Sequence, residues 1–153
     1  MPDFVPPDPD FERRVRADFA RQKAMALIGA ELTRVEPGRV TIEVPYREDL
    51  TQQHGFFHAG IISTAADSAG GYAGYSLMPA DSQVLSVEFK VNLLAPADGE
   101  RILAHGRAVR SGRNITVCEL EVEVVKNGAR KVCSVGLQTL MCVQGRALRA
   151  PPR

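Results

Sequence analysis

The stretch from Ala59 to Met78 limits what this chain can fold into more than any other: it is rich in Ala, Gly and Ser and carries a single charged side chain, Asp67. It is long enough for about five helical turns, which first raises the question of a membrane span. Asp67 argues against one, because a carboxylate near mid-bilayer costs about 2.5 to 3.5 kcal/mol on the insertion scale. The stretch therefore reads as a helix in the core of a soluble protein. Glycine inside a helix is unfavourable by roughly 1 kcal/mol relative to alanine. Gly60, Gly70, Gly71 and Gly74 thus predict a partner that packs closely enough to offset that loss.

The rest of the chain supplies one. The proline-rich residues 1–9 read as a loose lead-in, with Asp8 and Pro9 suited to start a helix. A helix over 10–29 follows, since Phe11, Val15 and Phe19 recur every four residues as one apolar stripe. Glu31 to Val44 reads as a hairpin about Pro37-Gly38. After the apolar helix come four period-two runs: Val84 to Leu94, Arg101 to Arg110, Ile115 to Val125 and Lys131 to Val143. Turn chemistry at Pro96-Ala97-Asp98-Gly99, at Ser111 to Asn114 and at Asn127-Gly128 predicts that these form a four-strand meander. The expectation is one α+β domain over 10–143, an antiparallel sheet curled around the Ala59 helix, followed by a flexible tail over 144–153.

At 153 residues the chain suffices for one core. A net charge of +1 gives no field that selects nucleic acid or an anionic membrane, and neither is expected as a partner. Cys118, Cys133 and Cys142 are odd in number, lack CxxC spacing and fall in strand-like runs, and no signal peptide is visible. These observations predict core thiols and a cytoplasmic protein.

Asp67 needs a reason to sit among Ala65, Ala66, Ala69 and Gly70. It is either satisfied locally or part of a reaction centre. The helix entrance favours the second reading, because Gln52 to Gly60 crowds amides, glycines, histidines and aromatics where helical N–H groups lack internal acceptors. The Ala59 N–H is the expected oxyanion donor. Ala59 and Asp67 are eight residues apart, so on one helix their backbones are separated by about 12 Å. A reacting carbonyl needs both within about 3 Å, so the two groups are expected to come from different chains of a homo-oligomer.

Gln52, Gly55, His58-Ala59-Gly60 and Asp67 nine positions after His58 together resemble the hotdog-fold thioesterases of the PaaI-like (phenylacetate-degradation) group. That group's signature has an Asn, a Gly, a His-Gly-Gly and a following Asp. The strand Ser86-Val87-Glu88-Phe89-Lys90-Val91-Asn92 also resembles the family, and the likeness spans about 30–143. Two positions depart from it: Gln52 replaces the Asn, and Ala59 replaces the first Gly after the histidine.

The resemblance implies hydrolysis of a fatty or aryl acyl-CoA without a metal or separate cofactor, at sites on a dimer interface. It implies Asp67 as general base or nucleophile, Ala59 N–H as oxyanion donor, Gln52 and His58 as polar positioning groups, and Ser86 orienting water or Asp67. Gly60, Phe57 and Asn92 are expected to contact substrate, and Arg110, Gly112, Arg113 and Asn114 form a polar hairpin end suited to coenzyme A phosphates. Phe56, Tyr72 and Tyr75 join Phe57 as candidates for an acyl pocket or for core. The alternatives are an acyl-CoA-binding module without turnover and an enoyl-thioester hydratase or dehydratase. Dimer and tetramer both remain open.

Overall fold

The computed structural model describes residues 4–145 and Leu148. In chain order the elements are α1 (Phe11–Phe19), α2 (Lys23–Leu27), β1 (Glu31–Glu36), β2 (Arg39–Pro45), α3 (Ala59–Tyr75), β3 (Ser82–Leu93), β4 (Arg101–Ser111), β5 (Ile115–Lys126) and β6 (Ala129–Gln144). The N-terminal helix expected over 10–29 is therefore two short helices. Its start is also shifted: Asp10 is the N-cap, while Asp8 accepts the Asp10 N–H at 2.9 Å and pairs with Arg14 at 2.8 Å. The tail expected after 143 falls mostly outside the described residues, and β6 runs on to Gln144.

All strands pair antiparallel in one sheet of order β1-β2-β4-β5-β6-β3. The expected four-strand meander is corrected: β4, β5 and β6 follow one another, but β3 lies at the far edge against β6. Local turn signals cannot tell a hairpin from a crossover. The segment through Pro96 that resembled a hairpin turn instead carries the chain across from β3 to β4. The β5–β6 turn fits its sequence, since Asn127 and Gly128 have φ of 50° and 78°, the double positive that a type I′ hairpin requires.

The sheet wraps α3, which packs against β2, β3, β4, β5 and β6. Alternate strand residues (Val40, Ile42 and Val44 on β2; Cys118, Leu120, Val122 and Val124 on β5) meet Ile62, Ala65, Ala66, Ala69 and Ala73 in the core. The small residues are needed here. A Cβ on Gly74 would overlap Leu140, and one on Gly106 of β4 would overlap the Ala69 carbonyl of α3. Backbone cannot yield as a flexible side chain can, so Gly106→Ala is expected to destabilise by about 3 kcal/mol, at the upper end of overpacking costs. Chemical denaturation would show this as a lowered midpoint, and an unchanged midpoint would refute the close packing.

Cys118 and Cys133 are free and buried. Burial pushes their thiols up to about 12 and about 11, so they remain protonated packing groups at neutral pH. Tyr72 and Tyr75 are also core. Tyr72 stacks edge-on with Phe19 at 5.8 Å and donates to Asp18, and Arg14 lies over the Tyr75 ring at 4.2 Å. Arg14 also donates to the Met78 and Pro79 carbonyls at 2.7 and 3.1 Å, closing the end of the α3 segment, which stops being helical after Tyr75 rather than at Met78.

Candidate active site

Two groups of candidate residues are positioned by α3, one at its entrance and one at its middle. The loop entering α3 is pinned on both sides: Gln52 N–H donates to Phe56 O at 2.9 Å, Gly55 N–H to Gln52 O at 3.0 Å, and Phe57 N–H to Ala97 O at 3.1 Å. Gly55 makes the turn at φ 82°. The Gln52 side chain accepts the His54 N–H and so braces this loop. Phe57 is buried edge-on against Tyr46, with ring centroids 5.7 Å apart.

His58 is the N-cap of α3, and its Nδ1 accepts the Gly60 N–H at 2.8 Å. That nitrogen is therefore unprotonated in this arrangement, and the imidazole acts here as a cap. His58 O accepts from Ile61 at 2.9 Å and Ile62 at 3.2 Å. Among the described residues, Ala59 N–H alone in this first turn meets no acceptor. It faces a cleft of about 510 Å³ lined by Gln52, Phe56, Phe57, Ile62, Leu93 and Leu94 with neighbouring loop residues. Gly60, with its N–H occupied, does not line that cleft.

Asp67 lies two turns further on, outside that cleft. Its Oδ1 accepts from Ser86 Oγ at 2.7 Å and from Gln138 Nε2 at 2.5 Å. Gln138, on β6, is 1% exposed and also reaches the Asp67 carbonyl at 3.1 Å and Ser86 Oγ at 3.0 Å. Sequence reasoning singled out Asp67 and Ser86 but missed Gln138.

The remaining candidates are dispersed. Asn92 lies with Lys90, His105 and Arg107 around a shallow depression on the outer face of the sheet. Arg110 is the penultimate residue of β4, and Gly112, Arg113 and Asn114 form the exposed β4–β5 turn, where Gly112 N–H donates to Ile115 O at 2.8 Å. That turn neighbours the start of β3, because Asn114 O accepts the Cys142 N–H at 2.8 Å and Cys142 pairs with Val84. It is thus at the Ser86 end of the strand, away from the Ala59 cleft.

One chain therefore holds a braced carboxylate and an unsatisfied helical N–H in separate places. No helix among the described residues is long and apolar enough to cross a membrane.

The thioesterase superfamily profile matches residues 54–131, which contain both groups. A crystal structure of a thioesterase family protein from Silicibacter pomeroyi is 46% identical, covering 88% of this chain and 99% of that one, with TM-score 0.87. A protein of Saccharolobus solfataricus with a provisional esterase name is 33% identical over 70% of this chain and 77% of its own. The 1,4-dihydroxy-2-naphthoyl-CoA hydrolase of Listeria monocytogenes is 25% identical over 62% and 77%. The fold is also that of the E. coli PaaI protein, at TM-score 0.79 and 15% identity over 89% and 95%. The expected curled sheet around a helix and the expected likeness to PaaI-type proteins are both present. The chain belongs to the thioesterase superfamily, and it is a hotdog-fold thioester hydrolase.

Proposed function

We propose that the protein hydrolyses a fatty or aryl acyl-CoA in the cytoplasm, at sites built jointly by two copies of the chain. Asp67 of one copy acts on the thioester while Ala59 N–H of the other polarises its carbonyl. The observation that carries this reading is the unused Ala59 N–H, opening on a cleft that excludes Asp67. Either Asp67 takes a proton from water as the water oxygen bonds to the carbonyl carbon, or its carboxylate bonds there first and water cleaves the resulting anhydride. In both routes negative charge gathers on the carbonyl oxygen at the helix N-terminus, the C–S bond breaks, and the thiolate of coenzyme A leaves and gains a proton. No metal or redox group is needed. The Listeria relative's name, with its aryl-CoA thioester, supports this substrate class.

The two sheet edges differ in a way that supports assembly through β3. β1 is six residues long and presents Glu31, Arg34 and Glu36, which guard it against pairing. β3 is twelve residues long, and Val87, Phe89 and Leu93 are exposed along it. In a symmetric antiparallel pairing of β3 with its copy, the Leu93 end of one strand lies beside the Ser86 end of the other. Leu93 borders the Ala59 cleft and Ser86 holds Asp67, so the pairing brings the carboxylate of one copy to the cleft of the other. Arg110 and Arg113 also lie at the Ser86 end, placed to meet coenzyme A phosphates.

Steady thiol release across a panel of fatty and aryl acyl-CoA substrates tests the activity. Decay of enoyl-thioester absorbance without thiol release would contradict it. Val87, 56% exposed at the β3 bulge, tests the assembly. Val87→Glu puts a carboxylate on the edge strand of each copy, a device that blocks edge-to-edge pairing, and is expected to give a folded monomer by light scattering. Its kcat/KM should fall at least about 100-fold, as removal of an oxyanion donor does. An active monomer would refute the shared site.

A further inference from the structure

Among the described residues, Gln138 makes three polar contacts through one nitrogen and none through its oxygen. Its Nε2 lies 2.5 Å from Asp67 Oδ1, 3.1 Å from Asp67 O and 3.0 Å from Ser86 Oγ. A carboxylate only accepts, so the nitrogen end of the amide has to face it. The price is Gln138 Oε1, which is buried with no partner among the described residues and lies where a Cβ on Gly70 would sit. An unsatisfied buried acceptor destabilises the fold, and an apolar side chain of the same shape would remove that cost. The fold therefore leaves the oxygen of this amide unpaired while its donor is aimed at Asp67.

We infer that Gln138 is a positioning residue that differentiates the two oxygens of Asp67. This rests on the reading of Asp67 as the reacting carboxylate. Ser86 Oγ and Gln138 Nε2 both donate to Oδ1. That oxygen is held by β3 and β6 together, the side-chain rotamer is fixed, and Oδ2 is left as the atom that meets water or the thioester carbon. The second Nε2 hydrogen serves the Asp67 carbonyl and Ser86 Oγ, so the hydroxyl that donates to Oδ1 is itself oriented. Gly70 leaves the room this amide needs against α3.

Gln138→Met keeps the volume and removes both the donor and the orphaned oxygen. Its expected signature is kcat about 10- to 100-fold lower, the size of one charge-assisted hydrogen bond, with KM within about two-fold and a melting temperature at or above wild type. A merely structural role predicts the reverse, a lowered melting temperature with kcat retained in the folded fraction, and that result overturns the inference. Ser86→Ala removes the other donor to the same oxygen, so the double variant should lose less than the product of the two single losses. Full multiplicativity would also overturn it. Should Gln138→Met fail to fold, Gln138→Leu removes the donor with a smaller apolar side chain, and wild-type kcat in that variant refutes positioning. The two readings fail separately: an inactive Asp67→Asn beside a fully active Gln138→Met sinks only this inference, whereas an active Asp67→Asn sinks the role of Asp67 itself.

Discussion

Asp67→Asn is expected to lower kcat for acyl-CoA hydrolysis by about 10²- to 10⁴-fold, the range for removing a positioned acid or base. The fold should survive. An asparagine oxygen can still accept from Ser86 Oγ and Gln138 Nε2, which now hold Asp67 Oδ1, so the buried Gln138 donor stays satisfied. What changes is the other carboxylate oxygen, which becomes an NH₂ that can neither take a proton from water nor bond to the thioester carbon. Thiol release on saturating substrate gives kcat, and circular dichroism with thermal melting separates lost chemistry from lost structure. A variant with undiminished turnover would remove Asp67 from the mechanism.

The second large effect is expected at Ala59, where the proposed group belongs to the backbone. Ala59→Pro deletes the N–H that has no acceptor in the described chain. The position tolerates it, since Ala59 is the first residue of α3, where proline fits. His58, with φ −65° and ψ 139°, already has the backbone conformation that a following proline demands. Loss of one oxyanion donor lowers kcat by about 10²- to 10³-fold. Ala59→Gly retains the N–H and should retain most of the activity, so a loss of similar size in both variants would point to disturbed helix entry instead.

Features encoded locally were legible in the sequence. The Asn127-Gly128 turn, the close-packed helix and its solitary carboxylate follow from residue types a few positions apart. The pairing partner of β3 did not, because nothing in Ser82–Leu93 distinguishes a strand bound for β6 from one bound for β4. Phe56 and Phe57 sit at the cleft while Tyr72 and Tyr75 face the N-terminal helix, a division that depends on where α1 packs. Gln138 was hidden among the polar residues of an alternating strand. Its signal was parity: Gly136, Gln138, Leu140 and Cys142 share one face of β6, and a glutamine on the face that carries Leu140 into the core needs a partner. The separation of Ala59 from Asp67 was legible because helical rise is fixed, and it raises the question of a second chain.

That question has a direct test. Asp67→Asn and Ala59→Pro chains, each inactive alone, are unfolded together, refolded as an equimolar mixture and assayed. If each site takes its carboxylate from one copy and its amide from the other, every mixed dimer carries one intact site. The mixture should then recover about a quarter of wild-type activity, the share expected for random two-fold pairing. A mixture that forms mixed dimers yet stays as inactive as its components would contradict a site shared between chains.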